Sequence, residues 1–267
     1  MFSDPGIHLS NRQTALLMGV SILIMTTSGI VAARADNSRS LPDTFITAVA
    51  DTTVPAPPLY GPANPADAYL DWHRPNEPLR VGLQAGHWQA ADAPEELAGI
   101  RENGAWGGGK AEWEVNLEIA RRTAAMLTAA GIVVDILPAT VPPGYWADAF
   151  VSIHADDSPD RRVSGYKVAS PWRDLTGSAE QLATLIYDSY GNETGMANEP
   201  NITDDMRDFY AFNWQKYQHA INPMTPAALL ETGFLTNASD RRLIVLNPEI
   251  PARALADAIL RFLSPIP

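Results

Sequence analysis

The chain has 267 residues, no cysteine, 22 prolines and a formal net charge of −12. Without cysteine there is no disulfide framework, no thiolate metal site and no cysteine nucleophile, and so acidic a chain lacks the basic face that nucleic-acid phosphates require. With 46% hydrophobic and only 19% charged residues, most of it can bury a core.

Residues 14–31 (TALLMGVSILIMTTSGIV) form an uncharged apolar run between Arg12 and Arg34. Its length lies between a long signal-peptide core and a short membrane span. Ala33-Arg34-Ala35 has the small-x-small pattern of a cleavage site, so residues 1–35 read as a cleaved signal peptide or an uncleaved signal anchor. Either places the rest outside the cytoplasm, secreted or anchored at the cell envelope. Residues 36–78 carry prolines at 55, 57, 58, 62, 65, 75 and 78. Proline removes backbone donors and favours extended polyproline segments, which predicts an extracytoplasmic linker with one short helical turn over 66–72 packed on the domain.

From residue 79 to 267 the pattern alternates strands and helices. LRVGLQA (79–85) reads as a buried strand feeding Gly86-His87, and ENGAWGGGK (102–110) as a flexible loop. Residues 111–130 carry apolar stripes at helical spacing, with Gly131 as the stop. IVVDIL (132–137) and AFVSIH (149–154) are strands, and GYKVAS (165–170) is a weaker one. Ser178 and Gln181 form a capping box before a helix to about Tyr190. AALLET (227–232) is a last buried strand, and Asn247-Pro248 opens a C-terminal helix. This order predicts an α/β domain with a mostly parallel sheet covered by helices on both faces.

In such sheets ligands sit beyond the carboxyl ends of the strands. His87, His154 and Glu231 all stand at or near such ends, and Glu112 lies in the first turn of the long helix. A hydrolytic zinc site needs three N/O ligands and an open position. His87, Glu112 and His154 supply that set, with Glu231 as the base for the activated water. Each residue also has an ordinary structural reading: a hydrogen-bonded strand-end histidine, or an acid in a helix's first turn. Glu231 is the hardest to assign a purely structural place, because an unpaired buried carboxylate is costly.

Four blocks in order, VGLQAGHW (81–88), EWEVNLEIA (112–120), FVSIHAD (150–156) and AALLETGFLTNASD (227–240), resemble the zinc-dependent N-acetylmuramoyl-L-alanine amidases of the Amidase_3 type. That family typically reads D-x-GHGG, E-K-x-x-N-L-x-x-A, F-x-SIHAN and LxExGFLSN. The resemblance implies one Zn2+ held by His87, Glu112 and His154, with Glu231 as the catalytic glutamate. Glu114 competes with Glu112, which is preferred because Asn116-Leu117 follows at the family's offsets. It also implies a single domain with about six strands, and cleavage of the amide between the muramic acid lactyl group and the stem-peptide L-alanine in peptidoglycan. Trp88-Gln89 replaces the glycine pair after the first histidine, and the stretch before the SIH strand is shortened; these departures bear on substrate recognition.

Residues 191–226 read as a substrate-rim insertion rich in aromatics, including Tyr210, Phe212, Trp214 and Tyr217. Aromatics stack on sugars or pack the loop onto the domain; Arg207 suits a stem-peptide carboxylate and His219 a developing oxyanion. Trp88 and Trp106 are further candidates for substrate walls. A peptidase acting on another wall amide and a non-catalytic wall-binding domain are the rival readings.

Overall fold

The computed structural model describes residues 65–264 apart from residue 103; the apolar run over 14–31 and most of the proline-rich linker lie outside the described residues. Among the described residues no helix is long and apolar enough to cross a membrane.

The main sheet has five strands in the order β4-β1-β5-β7-β6, one fewer among the described residues than the resemblance implies. They are β1 (Arg80–Ala85), β4 (Val133–Leu137), β5 (Ala149–Asp156), β6 (Lys167–Ala169) and β7 (Ala227–Phe234). The first four in spatial order run parallel, and β6 joins the β7 edge antiparallel. The glycine-rich stretch expected as a flexible loop instead closes a small hairpin, β2 (Trp106–Gly107) with β3 (Lys110–Ala111).

Side chains alternate across a strand, and the two faces fill differently. Val81, Leu83, Val134, Ile136, Val151, Ile153, Ala228 and Leu230 turn to the face covered by α1 (Glu112–Ala129), α2 (Ala179–Thr194) and α5 (Glu249–Leu263). Phe150, Ala227 and Leu229 turn to the other face. There the cover is Leu97, Tyr145, Met206, Tyr210, Phe212 and Ile221, drawn from irregular segments and short helical turns such as α3 (Asp204–Arg207).

Local chemistry sets the helix limits with two departures from expectation. Ser178 makes no side-chain cap on α2; Asp174 takes the Ala179 N–H instead, at 2.9 Å. α2 also continues to Thr194, past the expected stop, before Gly195 ends it with φ 65°. An additional short helix, α4 (Ala238–Ile244), is capped by the Asn237 side chain, which accepts from the Ser239 and Asp240 N–H groups.

The turn expected to pack on the domain over 66–72 does so, as a 3₁₀ turn that starts at residue 65. This turn (Pro65–Tyr69) places Tyr69 against Trp214, and Trp72 lies 5.9 Å from Trp146. Arg74 grips Asp148 with Nε 2.6 Å from Oδ1 and Nη2 2.9 Å from Oδ2. The partners themselves were not legible, because packing of isolated aromatic and arginine side chains leaves no periodic trace.

Below β1 and β4, Arg80 Nη1 lies 2.5 Å from Asp135 Oδ2, which also accepts from Tyr145 Oη at 2.9 Å. Both charged side chains are nearly enclosed. Removing one partner of a buried pair leaves the other without compensation. Asp135→Ala is therefore expected to cost about 3–5 kcal/mol of stability, read from urea unfolding midpoints.

Candidate metal centre and active site

β1 ends at Ala85 and the chain turns at once. Gly86 N–H donates to Ile153 O at 2.9 Å, pinning the turn to β5. His87 takes a left-handed conformation, φ 62°, uncommon for a residue with a Cβ. The Trp88 N–H to Ala85 O and Ala90 N–H to His87 O bonds, each 3.2 Å, hold it there. A Cβ at Gly86 would fall 2.4–2.6 Å from three atoms of the His154 ring. Only glycine lets the end of β1 lie against that imidazole.

Glu112 opens α1, where the partial positive charge of a helix N-terminus favours a carboxylate. It is 4% exposed. Oε2 accepts from the Ala105 N–H at 2.8 Å and lies 3.5 Å from His87 Nε2. Oε1 lies 3.0 Å from His154 Nδ1 and accepts from the Ala155 N–H at 3.1 Å. Asn116, one turn along on the same face, donates to Glu112 Oε1 at 3.2 Å and to Gly86 O at 3.1 Å. Glu114 is taken elsewhere: it accepts from the Ala111 N–H at 2.9 Å and from Lys110 at 3.0 Å. That settles which glutamate faces the histidines.

Burial opposes the charge on Glu112, but the hydrogen bond and charge of His154, the charge of His87 and the Ala105 N–H outweigh it and hold the pKa down at about 2. For His154 burial disfavours the cation, yet the hydrogen bond and charge of Glu112 prevail and raise its pKa. His87, Glu112 and His154 each offer a ligand atom within 4.8 Å of the others. Two imidazoles and an ionised carboxylate fit a divalent transition metal. Asn116 and the two backbone donors orient the carboxylate, the supporting contacts such ligands need. His154 Nε2 is buried without a hydrogen-bond partner, which also fits an ion at this place.

Glu231 stands beside this cluster by strand register, its Cα paired directly with that of His154 across β5 and β7. Its Oε2 is buried with no hydrogen-bond partner. Burial pushes the carboxyl up to about 8, with the charges of Glu112 and Asp156 adding to the rise and those of His154 and Lys167 opposing it. A cavity of about 580 Å3 opens onto His87, His154 and Glu231. Val163, Met206, Phe209, Leu229 and Phe234 form its apolar lining, with Phe209 edge-on to His154 at 5.6 Å.

The three expected substrate-binding residues are outside that lining. Trp88 is half-buried against the main core. Arg207 lies 4.9 Å over the Trp172 ring and reaches Ser170 Oγ at 3.4 Å. His219 Nδ1 is 2.6 Å from Glu96 Oε1, and Glu96 also accepts the Gln218 and His219 N–H groups. Trp106 is an exposed side chain on the hairpin. The segment 191–226 does reach the cavity, through Glu199, Asn201, Thr203, Asp205, Met206 and Phe209. The sequence reading named other aromatics there and passed over Phe209. It also passed over Lys167, whose signal was a lone charge within an otherwise apolar strand.

Gly86→Ala is expected to displace the His154 ring and lower metal affinity at least about tenfold, the order of effect seen when contacts supporting a metal ligand are lost. Isothermal titration of the purified variant with Zn2+ checks it.

Comparison with known proteins bears on the same residues. Residues 143–263 match the family model Amidase_3, N-acetylmuramoyl-L-alanine amidase. The span contains His154 and Glu231; His87 and Glu112 precede it and join them through the fold. The N-acetylmuramoyl-L-alanine amidase LytC of Bacillus subtilis (strain 168) is 29% identical over 154 residues, 53% of this chain. The chain matches only 29% of that protein's length. The N-acetylmuramyl-L-alanine amidase Ami1 from Mycobacterium smegmatis superposes with TM-score 0.52 at 21% identity, over 69% of this chain and 96% of that one. The amidase AmiC2 of Nostoc punctiforme does so with TM-score 0.51 at 23% identity, over 69% and 97%. At these identities the structural likenesses speak for the fold alone. Through residues 143–263 the chain is thus similar to the Amidase_3 family.

Proposed function

We propose that this chain is an exported zinc amidase that hydrolyses the bond between the muramic acid lactyl group and the stem-peptide L-alanine in peptidoglycan. The observation that carries this is the clustering of His87, Glu112 and His154, with His87, His154 and Glu231 lining one cavity. The family match and the sequence relative support the choice of bond.

His87, Glu112 and His154 would hold the Zn2+, which supplies Lewis-acid polarisation of the scissile carbonyl and acidifies water. The remaining chemistry belongs to the chain. Glu231, beside His154 in the ladder, takes a proton at Oε2 from the attacking water and delivers it to the departing alanine nitrogen. The Glu112 carboxylate, held by Asn116 and the backbone, keeps its oxygens turned to the two imidazoles. Phe209, Met206, Leu229 and Phe234 exclude water from around the bond and strengthen electrostatic interactions there. Residues 1–35 serve as signal peptide or membrane anchor, and the proline-rich stretch up to residue 64 as the tether. Either route delivers the domain outside the cytoplasm, where peptidoglycan lies, secreted or anchored at the envelope.

Incubating the full chain with peptidoglycan is expected to release stem peptides with a free L-alanine amino terminus, identified by mass spectrometry. Chelation should abolish release and Zn2+ restore it. Cleavage inside the stem, or none with stoichiometric zinc bound, would overturn the reading. Glu231→Gln should keep the metal and lose about 10²–10⁴-fold in kcat, the usual contribution of a positioned acid–base group. Zinc binds the folded state, so at 100 times its Kd it adds about 2.7 kcal/mol of stability; chelation is expected to lower the thermal midpoint, measured by calorimetry.

A further inference from the structure

Beyond the metal cluster, the least ordinary side chain in the cavity wall is Lys167. It lies in the edge strand β6, is 7% exposed, and sits opposite Glu231 in the ladder. Lysine is almost never so enclosed without a partner, and here it has two. Nζ lies 2.5 Å from Asp156 Oδ2 and 3.4 Å from Glu199 Oε2, and 5.1 Å above the Phe234 ring.

The partners come from different parts of the fold. Asp156 ends β5, two residues after His154. Glu199 belongs to the segment that goes on to supply Asn201, Thr203, Asp205, Met206 and Phe209 to the cavity wall. That segment runs along β6: Tyr166 N–H donates to Ala197 O at 3.2 Å, and Glu199 N–H to Tyr166 O at 2.9 Å. The backbone thus holds the segment to the edge strand, and Lys167 alone among the lining side chains joins it by charge to the strand bearing His154. Without the ammonium, Asp156 and Glu199 would face one another as like charges, which favours separation.

We propose that Lys167 is a positioning residue that holds the 199–209 wall at its distance from His154 and Glu231, and so sets how tightly the substrate is gripped. This rests on the amidase reading for what the cavity holds, not for the clamp itself. Lys167→Met keeps the apolar stem over Phe234 and removes the charge. It is expected to raise KM about tenfold, a larger change than any in kcat, as when uniform binding is lost, while zinc stoichiometry stays unchanged. Lys167→Arg should restore most of the KM. Adding Glu199→Gln to Lys167→Met should recover part of the loss, because the repulsion is relieved.

Hydrogen exchange provides a readout that needs no substrate. Lys167→Met should speed exchange of amides in 199–209 and leave those of α1 unchanged. If the unaltered protein releases no L-alanyl peptides, the amidase reading fails while the exchange result still decides the clamp. A fall in kcat at constant KM, loss of zinc, strict additivity with Glu199→Gln, or unchanged exchange over 199–209 would each overturn the proposal. If Lys167→Met does not fold, Glu199→Gln alone must raise KM and loosen the same amides, and its failure to do so also overturns it.

Discussion

The arrangement turns on one buried carboxylate. Glu112 is enclosed at the start of α1, where an uncompensated charge would be expensive, and everything within reach of it meets that cost. The two imidazoles, the Ala105 and Ala155 N–H groups and the Asn116 amide all converge on its two oxygens. These contacts join the turn after β1, the β2–β3 hairpin, the start of α1 and the end of β5. A divalent ion bound beside Glu112 would therefore also draw together the four segments that build the site.

The surrounding wall obeys a different constraint. The face of the sheet packed by α1, α2 and α5 is regular, and its side chains are apolar and interleaved. The opposite face is closed by irregular chain, which has to satisfy its backbone and polar groups piece by piece. Gln84 shows how: buried in β1, it accepts from Ser152 Oγ at 2.6 Å and donates to Ala139 O at 2.9 Å and to Tyr210 Oη at 2.7 Å. Tyr210 thereby carries its neighbour Phe209 to the His154 ring. The polar network under the sheet and the Lys167 ion pairs at its edge thus secure the 199–210 segment at both ends. Part of the cavity wall thus comes from a segment with little regular structure of its own.

Much of the central architecture was legible from periodicity. Strands β1, β4, β5 and β7 are short apolar runs, and helices α1 and α5 carry stripes at helical spacing; these found their positions within a residue or two. The limits of α2 were less legible: Asp174 replaces the expected Ser178 cap at its start, and the helix runs through Gly191 before Gly195 ends it. The antiparallel course of β6 was not legible at all: three residues carry no sign of their partner. Trp88, Arg207 and His219 suited substrate chemistry by type. They sit outside the cavity lining because core packing, the Trp172 ring and Glu96 hold them.

The sequence by itself determined the chemical inventory. Two histidines and two glutamates stand at strand and helix ends and no thiol competes with them; the preference for Glu112 over Glu114 came from the family resemblance, through Asn116-Leu117. These are local facts, written in residue type and spacing. Only the tertiary structure decided that Glu112 lies between the two imidazoles, that Glu231 stands beside His154, and that Lys167 ties Asp156 to Glu199. Such encounters join positions tens of residues apart along the chain. They depend on strand order, register and the path of irregular segments, which are settled by packing and by the pairing of buried polar groups over the whole domain.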